Sequence, residues 1–291
     1  MSTPATGRVV IVTGAGQGLG REHALAFGRD SARVVVNDVS AAAVDVAGAI
    51  VEAGGTAVAS VGDCSDWDYA QQLVRTAVEA YGGLDILVNN AGINRDRMLV
   101  GMSEAEWDTV IRVDLKGHFA PMRHAAAYWR ERSKAGDTLH ARIVNTSSGA
   151  GLMGSVGQGN YAAAKAGIAA LTQVAAVEFG RYGVTVNAIA PSARTAMTEA
   201  VFAEQMRAPE SGFDVMHPAN VSPLVVWLAS VDAGDVTGRI FEIEGGRLSV
   251  ADGWQHGEPV VKQARWRSGE LGPQVRALLA AAPPPAPVYG A

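Results

Sequence analysis

The sequence of 291 residues contains little cysteine and little charge. Its one cysteine, Cys64, excludes an intramolecular disulfide, and 18% of its residues are charged, against about 25% in typical domains. The net charge of −5 provides no overall positive field that would attract nucleic acid. Residues 1–8 lack the apolar stretch of a secretory signal. These absences predict a cytoplasmic protein that does not bind nucleic acid.

Long hydrophobic runs and clusters of metal ligands are absent as well. The longest run of small apolar residues, 162–177, is interrupted by Lys165 and by Thr172 and Gln173, well short of the ~20 residues that cross a bilayer. The six histidines form no His-x-x-x-His pair and no cluster with the cysteine. We therefore expect neither a membrane span nor a metal site.

Apolar residues and glycine are plentiful. Hydrophobic residues make up 48% of the chain, enough for one sizeable core. Glycine accounts for 34 of the 291 residues, where about 20 would be expected from average composition. The surplus requires local explanations, and two glycine-rich segments, 14–20 and 149–159, contain much of it.

Short β-branched runs alternate along the chain with longer amphipathic stretches of helical period. The runs predict seven strands, at residues 8–13, 33–37, 56–60, 84–89, 141–146, 184–189 and 239–243. The intervening stretches predict helices, among them 18–29, 41–53, 66–81 and 103–132. Ser103 and Glu106 fit a capping box at the start of the last of these. Strict alternation predicts one α/β domain with a doubly wound, parallel, seven-stranded sheet of Rossmann-like type.

The composition changes after about Gly246, where the sequence becomes less periodic. We expect a Rossmann-like domain over residues 1–246 and a C-terminal extension over residues 247–291. The extension has a short helical stretch at 273–282, followed by a proline-rich tail at 283–287.

A glycine-rich turn follows the first predicted strand, with the sequence Thr-Gly-Ala-Gly-Gln-Gly-Leu-Gly over residues 13–20. Glycines let a backbone turn sharply and approach a pyrophosphate, whose charge is stabilised by the N-terminus of the next helix. A plain glycine-rich turn is the alternative. The position directly after the first strand favours a dinucleotide site.

Asp38 ends the second predicted strand, 18 residues beyond Gly20. A carboxylate there can accept hydrogen bonds from both ribose hydroxyls of a dinucleotide and would repel a 2′-phosphate. An ordinary turn aspartate is the alternative. Because no Lys or Arg lies between Gly14 and Gly20 or immediately after Asp38, NAD is favoured over NADP.

Tyr161 and Lys165 are four residues apart on a predicted helix, so their side chains share one face. A nearby ammonium favours the phenolate form of a tyrosine, which then becomes a plausible general acid and base. Ser148 lies 13 residues before Tyr161, at the end of the fifth strand, where its hydroxyl could hold a substrate oxygen. A half-buried tyrosine, a solvated lysine and a turn serine are the alternatives.

These motifs resemble the set that marks the short-chain dehydrogenase/reductase family. They are the glycine turn at 13–20, Asn-Asn-Ala-Gly at 89–92, Ser148, and Tyr-Ala-Ala-Ala-Lys at 161–165. The resemblance covers about residues 7–246. The wording of segments 91–97, 115–119 and 190–195 is most similar to the (3R)-hydroxyacyl-CoA dehydrogenase branch, which includes the dehydrogenase unit of peroxisomal multifunctional enzymes and bacterial single-domain relatives.

The resemblance implies a set of residues that contact the cofactor. Asp63 and the backbone of Cys64 would meet the adenine, and Lys165 would also bind the nicotinamide ribose. The implied set is Gly14, Gln17, Gly18, Leu19, Asp38, Asp63, Cys64, Asn90, Ala91, Gly92, Tyr161, Lys165, Pro191, Arg194 and Thr195. The resemblance also implies a homodimer or homotetramer.

Two positions depart from the family pattern. Asp114 stands where members usually have an asparagine that orders a water leading to the lysine. An ionised aspartate can accept a hydrogen bond from that water but cannot donate one to a carbonyl, so the proton relay is in doubt. The second departure is the Pro-Ser-Ala-Arg-Thr segment at 191–195, one residue shorter than usual and without its glycine. There Arg194 is either a charged contact for cofactor or substrate or a surface arginine.

The predicted function is an NAD-dependent oxidoreductase that interconverts a secondary alcohol and a ketone. Ser148, Tyr161, Lys165 and Asp114 form the predicted catalytic set, and the resemblance indicates a 3-hydroxyacyl-CoA or a related lipid or steroid-derived substrate. The alternatives are an NADPH-dependent 3-oxoacyl reductase and a non-catalytic NAD-binding regulatory or scaffold protein. The apolar residues of segment 196–217 predict a lid over a lipophilic substrate, or else core packing: Met197, Phe202, Met206, Phe213 and Met216.

Overall fold

The computed structural model describes residues 4–199, 204, 206–251, 253–284 and 286–289. Within these ranges one sheet of eight strands has the order β3-β2-β1-β4-β5-β6-β7-β8. The strands are β1 (Val9–Val12), β2 (Arg33–Asp38), β3 (Thr56–Val61), β4 (Ile86–Asn89), β5 (Ala141–Thr146), β6 (Val184–Ser192), β7 (Ile240–Glu244) and β8 (Arg247–Ala251). The first seven run parallel, which confirms the doubly wound α/β sheet.

The predicted strand number of seven is wrong, because β8 adds an antiparallel edge strand next to β7. Two glycines connect β7 and β8, and Gly245 has a φ of +53°. Two adjacent glycines are a typical β-hairpin connection, since this turn needs positive φ values. The sequence predicts a C-terminal extension that begins directly after these glycines, at residue 247. The sheet therefore extends five residues beyond Gly246, whereas the division of the chain at that point stays a prediction.

The helices fill the connections between the strands. They are α1 (Gly18–Arg29), α2 (Ala42–Glu52), α3 (Trp67–Tyr81), α4 (Glu104–Val110), α5 (Gly117–Lys134), α6 (Gly149–Met153), α7 (Gly159–Gly180), α8 (Ala196–Glu199), α9 (Ser222–Leu228) and α10 (Ser268–Ala281). A π-helical turn, Ile111–Lys116, joins α4 to α5, so the helix predicted over 103–132 is interrupted. The capping box of Ser103 and Glu106 opens α4 as predicted.

Apolar layers cover both faces of the sheet. Successive strand residues point to opposite faces, and all four residues of β1 are buried. Val10 and Val12 pack in the layer formed with α1, α2 and α9. Val9 and Ile11 pack in the opposite layer with α3 and α5, where the Trp129 indole donates a hydrogen bond to the Leu84 carbonyl at 2.6 Å. Burial on both faces explains the nearly continuous apolar character of the central strands.

The carboxyl ends of the parallel strands lie along one edge of the sheet, where they bring the predicted site residues together. Gly14 follows β1, Asp38 ends β2, Asn90 follows β4, Ser148 follows β5 and Pro191 lies near the end of β6. The strand order reverses between β1 and β4. In such sheets, ligands bind at this reversal, outside the carboxyl ends of the strands.

One helix of the described chain, α7, is long and apolar enough to cross a membrane by length and composition, with a mean hydropathy of 1.2. In this fold α7 packs against β6 and α6. It presents Tyr161 and Lys165 near its first turns. These contacts make α7 part of the domain, with 33% of its apolar window buried.

Candidate active site

The glycine turn after β1 is shaped by close backbone contacts. Gly14 has a φ of +61°, and a Cβ placed on it would lie 2.7 Å from the Cα of Ala91. A Cβ on Gly20 would overlap the carbonyl oxygen of Gly14. The turn therefore requires glycine at both positions. The resulting cradle leaves backbone amides at the N-terminus of α1, as binding of a pyrophosphate needs.

The Asn-Asn-Ala-Gly segment holds this turn in place. The Asn90 amide nitrogen donates to the carbonyls of Thr13 and Gly14, at 3.1 Å each. The hydroxyl of Thr13 accepts hydrogen bonds from the backbone amides of Asn90 and Ala91, at 3.0 and 3.2 Å. Residues from the ends of β1 and β4 thus form one hydrogen-bonded unit beside the predicted pyrophosphate position.

Asp38 is fixed in orientation at the end of β2. One carboxylate oxygen accepts from the amide of Gly16 at 2.9 Å, and the other accepts from the amide and hydroxyl of Ser40 at 2.9 and 2.8 Å. A Cβ on Gly16 would lie 2.9 Å from the Asp38 carboxyl group. The carboxylate therefore touches the glycine turn, where a dinucleotide ribose would lie next to its pyrophosphate.

Asp63 and Cys64 follow β3 and differ in the state of their side chains. Burial raises the pKa of Asp63, but hydrogen bonds from Ser65 and Arg112 outweigh it and hold the pKa below its usual value. Arg112 donates to Asp63 at 2.5 Å and to the Ser65 hydroxyl at 2.6 Å. The side chain of Cys64 is buried, and burial raises the pKa of its thiol to about 12. The side chain of Cys64 is thus a small core residue whose thiol stays protonated.

Arg112 was missed by sequence reasoning. It lies on the π-helical turn, two residues before Asp114, and its guanidinium joins that turn to the loop after β3. A signal for this role was available in the spacing, since Arg112 and the predicted site residue Asp114 belong to the same turn. Contact between that turn and Asp63 can be seen only in the fold.

Lys165 is nearly fully buried, with 2% of its surface exposed. Its ammonium donates to the carbonyl of Thr146 at 3.0 Å and lies 5.3 Å from the centre of the Tyr161 ring. The Ser147 hydroxyl donates to the Lys165 carbonyl at 2.8 Å, which fastens α7 to the end of β5. The predicted pair on α7 is therefore brought together with the loop that carries Ser148.

Asp114 is completely buried on the π-helical turn. One oxygen accepts from the amide of Ile93 at 2.8 Å, and the other lies 3.4 Å from the Lys165 ammonium nitrogen. Burial raises the pKa of Asp114, and the positive charge of Lys165 together with the Ile93 amide opposes that rise. Asp114 and Lys165 thus form a direct ion pair, and the water-mediated relay between them stays a prediction. A Cβ on Gly92 would lie 3.0 Å from this carboxylate, so the pair fits against glycine.

A cavity of about 610 Å³ opens beside these groups. Ser148 and Tyr161 line it, and the Ser148 hydroxyl accepts a hydrogen bond from the Ala150 amide at 3.2 Å. Its lining combines apolar and charged side chains from separate parts of the chain. The apolar ones include Val156, Met197, Met206, Ile243 and Tyr289, and the charged ones are Asp96, Glu242, Glu244 and Arg247. The cavity therefore joins the predicted reaction end, at Ser148 and Tyr161, to a lining of mixed polarity.

The predicted lid segment contributes only in part to this cavity. Met197 and Met206 line it, whereas Phe213 is 64% exposed and does not. Phe202 lies outside the described residues. Sequence reasoning missed Arg247 and Ser249 of β8 and Tyr289 of the C-terminal extension, all of which line the cavity. These residues are far from the recognised motifs in sequence, so no local pattern indicates them.

The segment after β6 lies between the cavity and the glycine turn. Pro191 lines the cavity, and a Cβ on Gly18 would lie 3.4 Å from the Thr195 methyl group. Arg194 forms an ion pair with Asp214 and donates to the Met206 carbonyl at 2.9 Å. Hydrogen bonding to Arg194 holds the pKa of Asp214 below its usual value, although slight burial opposes it. The structure thus places the Arg194 guanidinium on its own loop, outside the residues that line the cavity.

The remaining predicted cofactor residues lie at the start of α1. Gln17 is the N-cap residue of this helix but forms no side-chain cap bond. Leu19 packs against the apolar layer of α1, α2 and α9. These positions supply backbone and shape to the cradle. In the described ranges no group of three or more His, Cys, Asp or Glu residues could hold a metal ion.

Comparisons with known proteins agree with this geometry. The family model described as short chain dehydrogenase matches residues 8–206. A hydroxyacyl-CoA dehydrogenase of Mycobacterium tuberculosis is 51% identical over 257 residues, covering 86% of this chain and 81% of that protein. Mouse peroxisomal multifunctional enzyme type 2 is 40% identical over 250 residues, which are 82% of this chain but 32% of that longer enzyme.

A solved structure is similar over almost the whole length. It is a short chain dehydrogenase from Mycobacterium avium, 62% identical, with a TM-score of 0.92, and the match covers 99% of this chain and 100% of that one. The predicted resemblance, including its hydroxyacyl-CoA dehydrogenase branch, is therefore confirmed. Members of this family are oxidoreductases that use NAD or NADP. The chain belongs to the short-chain dehydrogenase family.

Proposed function

We propose that the protein is an NAD-dependent dehydrogenase that interconverts the 3-hydroxyl and 3-keto forms of an acyl-CoA or a related lipid or steroid-derived substrate. One observation carries this proposal: Tyr161, on the same helix face as the buried Lys165, lines a cavity that Ser148 also lines. This arrangement provides both the groups for general acid-base chemistry and the space for a lipophilic substrate. We expect the protein to act in the cytoplasm.

Three side chains perform the proton chemistry in this proposal. The Ser148 hydroxyl holds the substrate oxygen, and the Tyr161 phenolate removes the hydroxyl proton as the carbonyl forms. The Lys165 ammonium, 5.3 Å from the ring centre, stabilises the phenolate by its charge. When bound, NAD supplies the acceptor for the hydride that leaves the alcohol carbon. In the reverse direction Tyr161 returns its proton to the oxygen.

Asp38 supports NAD over NADP. Its carboxylate is held against the Gly16 amide at 2.9 Å, beside the glycine cradle. A fixed negative charge there accepts hydrogen bonds from ribose hydroxyls and repels a 2′-phosphate. The preference for NAD fits the oxidative direction.

The cavity supports a lipophilic acyl substrate. Its volume of about 610 Å³ lies within the range of about 300–1,000 Å³ typical of pockets for drug-sized ligands. Apolar side chains contribute to its lining, among them the flexible Met197 and Met206. The named activity of the similar Mycobacterium tuberculosis protein, hydroxyacyl-CoA dehydrogenase, favours a thioester substrate.

A substrate and cofactor panel tests this function. We expect NAD-linked oxidation of 3-hydroxyacyl-CoA thioesters, with much slower turnover when NADP replaces NAD. Asp38→Asn should improve NADP use by at least about tenfold, since removal of a charge next to the 2′-phosphate is worth more than 1.4 kcal/mol. Asp45→Asn removes an exposed charge from α2 and serves as the matched control.

The outcomes separate the alternatives. Tight NADPH binding with negligible NADH turnover would instead support a 3-oxoacyl reductase. NAD binding without turnover on acyl-CoA, steroid and sugar-alcohol substrates would support a regulatory or scaffold role.

We also propose that the protein assembles as a homodimer or homotetramer through α5 and α7. Phe119 of α5 is 41% exposed, and Val174 and Val177 of α7 are 53% and 84% exposed. Exposed apolar side chains on neighbouring helices are typical of surfaces that become buried by association. Light scattering of the purified protein measures the assembly, and a monomer at all concentrations would contradict it.

A further inference from the structure

The C-terminal extension returns to the cavity at its last described residues, 286–289. The Val156 amide donates to the carbonyl of Tyr289 at 2.9 Å, and the Tyr289 amide donates to the carbonyl of Gly154 at 3.2 Å. These bonds form a short parallel bridge between Ser155 and Tyr289. The tail is therefore paired by its backbone with the loop between Ser148 and Tyr161.

Two glycines of that loop match the side chains of the tail. A Cβ on Gly149 would lie 3.0 Å from the hydroxyl oxygen and one ring carbon of Tyr289. A Cβ on Gly154, which has a φ of +81°, would lie 3.4 Å from a methyl group of Val288. Because Gly149 directly follows Ser148, the phenol ring of Tyr289 packs next to the reaction end of the cavity.

The segment between β8 and the tail makes little contact with the rest of the domain. Residues 253–282 are mostly exposed, and α10 has no buried residue. The tail is thus held at the loop by its own contacts, since the preceding segment has little contact with the domain. Tyr289 lines the cavity while 49% of its surface stays exposed.

We propose that residues 286–289 form a wall of the substrate cavity and that Tyr289 limits the bulk of the acyl group that the site accepts. This inference rests on the proposed function. An aromatic ring beside the loop of Ser148 offers an apolar surface to a short acyl chain and occupies space that a branched or polycyclic group needs. Tyr289 and the loop between Ser148 and Tyr161 would then determine the specificity for the acyl group together.

Removal of the Tyr289 ring tests whether the tail forms a wall of the substrate cavity. Tyr289→Ala is expected to raise the ratio of kcat/KM for a polycyclic 3-hydroxyacyl-CoA to that for a short straight-chain one by about tenfold, because changes of pocket size have effects of this order. Tyr289→Phe keeps the ring and should keep the ratio of the wild type. Leu279→Ala alters an exposed side chain of α10, 69% exposed, and is the matched control in the same extension. An unchanged ratio in a folded Tyr289→Ala protein overturns the proposal.

A second measurement needs no turnover. A cysteine placed by Met197→Cys lines the cavity, while Cys64 is 4% exposed and its thiol pKa is raised to about 12, so Cys64 stays silent. A bulky maleimide should label Cys at position 197 several-fold faster when Tyr289→Ala is added. Equal labelling rates would contradict the proposal that the tail forms a wall of the cavity. If the wild type oxidises no thioester, the proposed function fails, and the labelling rates alone decide the role of the tail.

Discussion

The site has two halves that are built in different ways. The proposed cofactor half lies at the ends of β1, β2 and β4, where Asn90 holds Gly14 and Asp38 bonds to Gly16 through contacts between recognisable motifs. The proposed substrate half combines the ends of β5 and β6 with β8 and with Tyr289 from the C-terminal extension. The first half is built from short motifs at strand ends, whereas the second depends on segments that are far apart in sequence.

The largest expected effect separates chemistry from cofactor binding. Tyr161→Phe removes the general base but leaves the glycine cradle intact, so kcat should fall by about 10²–10⁴-fold. The affinity for NADH should change far less, as measured by its fluorescence on titration. Loss of both together would show that the two halves are not separable at Tyr161.

A smaller effect is expected from a methyl group placed within the cofactor half. Gly20→Ala would push its Cβ into the Gly14 carbonyl, and overpacking of this kind costs about 1–3 kcal/mol. We expect a lower Tm and weaker NADH binding. Gly48→Ala is the matched control, because a Cβ there meets nothing within 4 Å and should stabilise α2 by about 0.5–1 kcal/mol. Equal effects of the two substitutions would contradict a cradle that depends on close contact.

The smallest expected effect concerns the ion pair between Asp114 and Lys165. Because burial raises the pKa of Asp114, its carboxylate ionises at higher pH than an exposed one, and its charge then offsets the Lys165 ammonium 3.4 Å away. Asp114→Asn removes that charge, so Lys165 favours the Tyr161 phenolate more strongly. The rising limb of the oxidation rate against pH should move to lower pH, by about one unit or less.

Asp108→Asn, an exposed position on α4, is the control for the pH profile. A curve unmoved by Asp114→Asn would refute the charge effect of Asp114 on the catalytic pair.

The sequence predicts most of the fold because its signals are local. Strand β5 has the predicted bounds around its β-branched residues Ile143 and Val144, and the Ser103 and Glu106 cap is recognisable within four residues. The loss of periodicity after Gly246 does not indicate β8, because a glycine pair is typical both of a hairpin and of the end of a domain. Motif residues around Tyr161 could be named for the same local reason.

Contacts between distant segments were beyond the sequence. Arg112 forms an ion pair with Asp63, which follows β3, and Arg194 forms an ion pair with Asp214, later in the same segment. Tyr289 pairs with the loop around Gly154 only because the whole extension folds back. Each contact depends on a three-dimensional path that no periodicity or spacing encodes.

The π-helical turn at Ile111–Lys116 bears on redesign of this protein. Such turns hold one residue more than a regular helical turn and often accompany function. Deletion of one residue there would let α4 and α5 merge into a regular helix, but would rotate Asp114 by about 100° relative to one of them. We expect the deletion variant to lose the ion pair with Lys165 and to have a lower Tm, because the buried ammonium is left without its partner. A more regular helix would therefore be a less stable one in this fold.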